Sequence, residues 1–280
     1  MRRRIFVISV SGGLCNRLGV LICAASYSEK HNCILLVRWP IVDGFQATLP
    51  DLFDCPYRII GEREDRIFRY LARRFDGLHM DLNYEGRKTE TLSFKAPRFV
   101  TYLETIEKFG EPYLDTQFAA FSHRLIPVPA IQSNIRAFDD FLRSNTVVGV
   151  SVRSTRAHPK TIEASPTRWF IERINFLHRL APHIKVFLSC DDAGVGDHIR
   201  RSVTCPIVAL DKPFAFNSTE SIRDAVADLY LLGRTKYILG SYWSSFSETA
   251  FEMRGDGAFE TSQSRSMDDS RIAALLNAGV

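Results

Sequence analysis

Short apolar runs alternate with segments of helical period, and this alternation restricts what the chain can fold into more than any other feature. Arg4 to Val10, RIFVISV, has the make-up of a buried strand. The Gly-rich turn SGGLCN follows, and from Asn16 onward Leu18, Leu21, Ile22 and Ala25 fall at helical spacing. CILLVRW is a second strand, stopped by Pro40. Strand, helix, strand reads as a βαβ opening, which implies a parallel sheet covered by helices. The pattern resumes at Val147–Val152 and then runs nearly to the end. A helix in SPTRWFIERINFLHRLA is followed by the strand IKVFLSC, the helix DAGVGDHIRRSV and the strand CPIVAL. The helix STESIRDAVADLYLLG, the strand KYILGS and the helix SSFSETAFEM complete the series. Ser165 is a plausible cap for the first of these helices, with Pro166 in its first turn.

Residues 41–130 are less regular. EREDRIFRYLARRF reads as a helix of mixed charge and FVTYLE as a short strand, and after Pro127 and Pro129 IQSNIRAFDDFLRS reads as one helical run. The last twenty residues look polar and end in a short helix. A chain of 280 residues exceeds one compact core of usual size, so two α/β halves, 1–145 and 146–280, are the simplest organisation.

The net charge is +4, from 36 basic and 32 acidic residues, which suits an anionic small molecule and is too small an excess to argue for nucleic acid. Arg63, Arg66, Arg69, Arg73 and Arg74 alternate with Glu62, Glu64 and Asp65, as a solvated helix does. No nucleic-acid partner is expected. The run Ile5–Val10 behind three arginines is too short for a signal sequence, and no stretch approaches a membrane span. The six cysteines show no CxxC pair and several sit in apolar runs, so free thiols in a cytoplasmic protein are expected.

Three strand ends carry groups that chemistry can use. VVGVSVRSTR runs from an apolar strand straight into Arg153, Arg156 and two hydroxyls. A strand ending at the surface accounts for this, and so does delivery of Arg153 to an anionic ligand. FLSCDD places Asp191 and Asp192 where a parallel strand ends, the edge at which open α/β sheets bind ligands. One of the two also fits a helix cap. YILGSYWSSFSETAFE leads from a strand through Ser241, Ser244 and Ser245 into a helix, whose free amides and hydroxyls suit a phosphate. Capping by Ser244 or Ser245, with Glu248 closing a capping box, uses the same residues. Asp228 lies at the border of an apolar helical stripe and needs a partner there, either a ligand or a cation of the same sheet. The sequence has no GxGxxG, GxSxG, HExxH or GxxxxGK[ST], and its seven histidines lack metal-ligand spacing.

In order along the chain, GGLCNRL, GVSVRSTR…TIEA, VFLSCDD and DLYLLGRTKYILGSYWSSFSETAFE resemble the motifs of the fucosyltransferase superfamily of GT-B glycosyltransferases. The likeness spans the first forty residues and the second half. It implies two Rossmann-like domains with parallel sheets facing across a cleft: an acceptor-side domain, 1–145, and a nucleotide-sugar domain, 146–280. It implies an inverting, metal-independent transferase that uses a nucleotide sugar, GDP-fucose, and a glycan or other hydroxyl acceptor, with no cofactor. Arg153 holds the donor's β-phosphate in this reading, and Gly12, Gly13 and Asn16 line the cleft. Asp228 fixes the base with Asp192 nearby, Ser244 and Ser245 donate to the diphosphate, and Glu163 is the candidate general base. Where the superfamily carries His-x-Arg-(Arg)-x-Asp, this chain has Ser151, Arg153, Ser154 and Arg156. That departure motivates the alternative of a non-catalytic nucleotide-sugar or phosphate-binding protein on the same scaffold.

Overall fold

The structure, a computed structural model, describes residues 4–74, 78–82, 100–105, 123–155 and 158–278. The chain forms two compact units, Met1–Val128 with Asn217–Ile222, and Pro129–Phe216 with Arg223–Val280.

The first unit is built on a parallel sheet. Its strands are β1 (Arg4–Val10), β2 (Cys33–Arg38), β4 (Arg58–Ile59), β5 (Leu78–Leu82) and β6 (Val100–Thr105), in the order β4-β2-β1-β6-β5. Two short strands, β3 (Phe53–Asp54) and β7 (Ile126–Pro127), pair separately. Helix α1 (Leu14–Lys30) follows β1, and α2 (Leu49–Leu52) and α3 (Glu62–Arg74) follow β2 and β4. Helix α1 starts two residues before the first expected helical position. Gly13 takes the N-cap place with extended backbone (φ −75°, ψ 176°), and Asn16 falls inside the first turn. The mixed-charge helix and the strand FVTYLE form as expected, as α3 and β6.

The second unit carries β8 (Val147–Val152), β9 (Lys185–Cys190), β10 (Ile207–Val208), β11 (Tyr237–Gly240), β12 (Ala258–Thr261) and β13 (Ser264–Arg265), in the order β10-β9-β8-β11-β12-β13. All neighbours are parallel except the β12–β13 pair. Its helices are α4 (Pro129–Arg136), α5 (Asp139–Ser144), α6 (Pro159–Ala164), α7 (Thr167–Leu180), α8 (Ala193–Ser202), α9 (Thr219–Leu232), α10 (Ser245–Arg254) and α11 (Asp269–Asn277); the first residues of α9 belong with the first unit. Helix α7 shows why these segments are helical. Phe170, Ile174 and Leu177 recur at i, i+4 and i+7, and all are fully buried against β8 and β9 residues such as Val150 and Val186. Each contributes about 1.5–3 kcal/mol through apolar burial.

Two local expectations are corrected. The run IQSNIRAFDDFLRS is two helices, because Phe138 leaves helical geometry (φ −102°, ψ 1°) and sets its ring edge-on against Phe187 of β9, 5.5 Å away. Pro166, not Ser165, takes the N-cap place of α7, while Ser165 ends α6 and its hydroxyl accepts the Tyr242 N–H at 2.7 Å. The polar tail also contains β13, and β12 ends where the tail begins; apolar periodicity reveals neither.

Candidate functional site

In the second sheet the chain lays β9 and β10 on one side of β8, then crosses to lay β11 and β12 on the other. Such a reversal leaves a crevice outside the carboxyl ends of the strands, where open α/β sheets bind their ligands. The register brings three ends side by side: Val152 pairs with Cys190 of β9, and Ser151 with Gly240 of β11. The next residues on these strands are Arg153, Asp191 and Ser241.

A short network fixes them. The Ser241 N–H donates to the Ser151 carbonyl at 3.1 Å, and the Arg153 N–H donates to Ser241 Oγ at 2.9 Å. Asp191 Oδ1 accepts both the Ser154 N–H at 2.7 Å and its hydroxyl at 2.8 Å. Asp191 Oδ2 is buried with no hydrogen bond and lies 3.6 Å from Arg153 Nε. The Arg153 side chain remains 35% exposed, and among the described residues its guanidinium makes no hydrogen bond. The backbone of Arg153 is therefore anchored at two strands, while among the described residues none of its five guanidinium N–H donors is engaged in a hydrogen bond.

Helix α10 opens beside this point. Gly240 ends β11 where a Cβ would meet Ser247 Oγ at 2.5 Å and Ser247 Cβ at 2.6 Å, so only glycine lets α10 approach the strand this closely. Ser244 is its N-cap residue (φ −107°, ψ 107°), buried, with no side-chain capping bond. The capping box that SSFSE suggests does not form on Ser244. Ser245 is exposed in the first turn.

The remaining expected residues fall in different settings. Asp192 caps α8 by accepting the Val195 N–H at 2.9 Å, so of the two adjacent acids it is Asp191 that stands beside Arg153. Asp228 is 1% exposed. Its Oδ2 accepts the Ser189 hydroxyl at 2.7 Å and pairs with Lys212, while its buried Oδ1 has no hydrogen bond. Glu163 is exposed on α6. Arg156 lies outside the described residues.

In the first unit the turn after β1 contains Gly12, whose φ of 79° is left-handed and favours glycine, and exposed Gly13, whose absent Cβ faces open space. Asn16 is half-buried. The group that shapes this turn is Arg17, which sequence reasoning passed over. It is 0% exposed; Nε donates to the Gly12 carbonyl at 2.7 Å and Nη1 to the Pro40 carbonyl at 2.8 Å. Its guanidinium sits 4.2 Å from the Phe45 ring centre and 5.3 Å from that of Trp39. Burial pushes its pKa down to about 10, which leaves it a cation at neutral pH. The signal in the sequence is an arginine on the apolar stripe of α1, directly before Leu18.

Among the described residues no group of three or more His, Cys, Asp or Glu side chains is placed to hold a metal, and no helix is long and apolar enough to cross a membrane.

No protein-family model and no curated protein matches this sequence. Solved structures share its fold. A mutant of Arabidopsis thaliana FUT1 in complex with GDP superposes with a TM-score of 0.65 at 16% identity, over 92% of this chain and 70% of that one. Fucosyltransferase NodZ from Bradyrhizobium gives 0.62 at 17% identity, over 89% and 93%. POFUT1 in complex with GDP-fucose gives 0.55 at 11% identity, over 91% and 95%. The α/β, GT-B-like fold with two Rossmann-like units, expected from the sequence, is the fold found.

Proposed function

We propose that this protein is an inverting glycosyltransferase that transfers fucose from GDP-fucose to a hydroxyl of a glycan or similar acceptor. A shared fold does not assign an activity. The observation that carries the reading is Arg153, held by its backbone at the reversal point of the second sheet, its guanidinium without a hydrogen bond among the described residues and 3.6 Å from the Asp191 carboxylate. The binding of GDP or GDP-fucose by proteins of the same fold supports the choice of donor.

In this reading the second unit binds the donor. Arg153 and the first-turn amides of α10, with Ser244 and Ser245, receive the diphosphate. Asp228 takes the base through Oδ1, which makes no hydrogen bond among the described residues, while Lys212 and Ser189 hold Oδ2, and Asp192 holds α8 nearby. The first unit, with Gly12, Gly13 and Asn16, serves the acceptor side. The acceptor hydroxyl attacks C1 of fucose from the face opposite the diphosphate. Its oxygen forms the new bond, and its proton passes to a carboxylate, for which Glu163 is the candidate. The C1–O bond to the β-phosphate breaks and its electron pair leaves with GDP. Arg153 and the helix amides stabilise the charge that grows on the leaving group. Because these groups supply fixed positive charge, turnover is expected to persist in EDTA. The six free thiols fit a reducing, cytoplasmic compartment.

The test is a thermal-shift panel of GDP, UDP, dTDP and CMP, with hydrolysis of GDP-fucose followed in parallel. A ligand at 100 times its Kd stabilises by about 2.7 kcal/mol, so binding is readily visible. Stabilisation by GDP alone, with slow release of fucose that EDTA leaves intact, is the expected result. GDP binding with no fucose release identifies a nucleotide-sugar-binding protein, and no response to GDP overturns the assignment.

A further inference from the structure

The loop between β11 and α10 holds a feature that donor binding does not use. Trp243 has a φ of 59°, left-handed backbone that is a true outlier for a bulky side chain. Such strain costs about 1–3 kcal/mol and persists only where the surroundings enforce it. Both flanks do so here. The Tyr242 N–H is tied to Ser165 Oγ at 2.7 Å, Ser241 is bonded to β8, and Ser244 starts α10. The strain does not place the indole in a core. Trp243 is 54% exposed, against 3% for Trp39, and Tyr242 beside it is 38% exposed. The ring has polar company: the His158 ring meets it edge-on at 5.3 Å, and Lys160 Nζ lies 5.6 Å from its centre. A Gly or Asn at this position would avoid the strain, so folding alone gives no reason for tryptophan.

We infer that Trp243 is a stacking platform for a sugar ring of the acceptor, with Lys160 and His158 as hydrogen-bonding groups at its rim. A pyranose presents an apolar C–H face bordered by hydroxyls. An exposed indole matches the face, and an ammonium and an imidazole beside it match the rim. The platform stands two residues from Ser241, which anchors the Arg153 backbone. It therefore holds acceptor sugar at the strand edge where Arg153 receives the donor. The inference rests on the transferase reading for that placement, while binding of carbohydrate by Trp243 can be tested without it.

The test uses full-length Trp243→Asn and Trp243→Phe. Asn tolerates left-handed backbone, and Phe keeps an aromatic face. The probes are a glycan array of neutral oligosaccharides, read with GDP present, and GDP titration of each variant. The expected result is that the wild type retains a subset of glycans, Trp243→Asn loses them by at least tenfold, and Trp243→Phe recovers part. GDP affinity should stay within about twofold, and the melting temperature of the Asn variant should be equal or higher. A destabilised Asn variant with normal glycan binding overturns the inference, because the ring then serves packing. A wild type that binds GDP but retains no glycan also overturns it. If glycan binding depends on Trp243 but GDP does not bind, the platform stands and the transferase reading falls.

Discussion

Two arginines stand at the carboxyl edges of the two sheets, and the fold treats them in opposite ways. Arg17 follows β1, is fully buried, and spends its donors on the Gly12 and Pro40 carbonyls between two aromatic rings. Arg153 follows β8, is one-third exposed, and its guanidinium makes no hydrogen bond among the described residues. The first is a clamp that shapes a turn. The second is anchored by its backbone, and among the described residues its guanidinium has only the Asp191 carboxylate beside it, at 3.6 Å. A cation at a strand end is thus a ligand group only when the protein itself has not consumed its donors, and the same residue type near the same kind of edge can serve either purpose.

The largest effect that separates the two is expected at Arg17. Arg17→Ala removes two hydrogen bonds from a charged donor, worth about 1.5–3 kcal/mol each, so a loss of about 3–6 kcal/mol in unfolding free energy is expected. Arg17→Lys should recover little, since a single ammonium cannot span both carbonyls as the planar fork does. Chemical denaturation measures this directly. A variant with wild-type stability would show that the Gly12 turn holds itself, and the contrast with Arg153 would collapse.

Arg153→Ala should do the reverse. Turnover of GDP-fucose is expected to fall by about 10²–10³, as when a donor to a developing anion is lost, while the melting temperature hardly moves. Arg153→Lys should restore part of the rate. Kinetics and melting on the same sample separate the cases, and a destabilised variant with normal turnover would place Arg153 with Arg17 as a structural residue.

How much of this was legible in the sequence follows from what each group packs against. The strand ends at Arg153 and Asp191 and the SSFSE helix start were visible because apolar strands and helical periods bracket them. Arg17 was not, because its burial depends on Trp39, Pro40 and Phe45, residues of a loop with no periodicity of its own. Strand β12 was hidden for a related reason. Its Glu260 is buried, but by an ion pair with Arg173 at 2.8 Å and a bond from Tyr237, and a strand buried through charge shows no apolar alternation. Adjacent Asp191 and Asp192 could not be told apart, since which one caps α8 depends on where that helix begins. The strain at Trp243 is a backbone property with no trace in composition.

A smaller effect is expected at Gly240, which tests whether the edge around Arg153 is as rigid as the contrast requires. Gly240→Ala drives a methyl into Ser247, the contact being 2.5 Å to Oγ and 2.6 Å to Cβ, so α10 must shift. Overpacking of this kind costs about 1–3 kcal/mol. Donor affinity should fall with stability, because the helix that moves carries Ser244 and Ser245. Loss of stability with unchanged GDP affinity would mean that the start of α10 contributes nothing to the diphosphate site.

The finest distinction concerns Asp191, whose carboxylate lies 3.6 Å from Arg153 Nε. If the pair is a true internal salt bridge, Arg153 is partly consumed and the contrast with Arg17 weakens. The geometry argues against it. The separation is 3.6 Å, Asp191 Oδ2 is left without a hydrogen bond, and Oδ1 is committed to Ser154. A partly exposed ion pair of this kind is worth about 0–1 kcal/mol. A double-mutant cycle of Asp191→Asn and Arg153→Ala, read by denaturation, should therefore give a coupling of no more than about 1 kcal/mol. Asp191→Asn keeps an acceptor for Ser154 and removes a negative charge beside the guanidinium, so GDP should bind equally well or up to about fivefold more tightly, the binding equivalent of 1 kcal/mol. A coupling of about 3 kcal/mol or more, the scale of a broken buried pair, with weaker GDP binding in Asp191→Asn, would show the two residues to be one structural unit. Arg153 would then owe its place at the strand end to Asp191 rather than to a ligand.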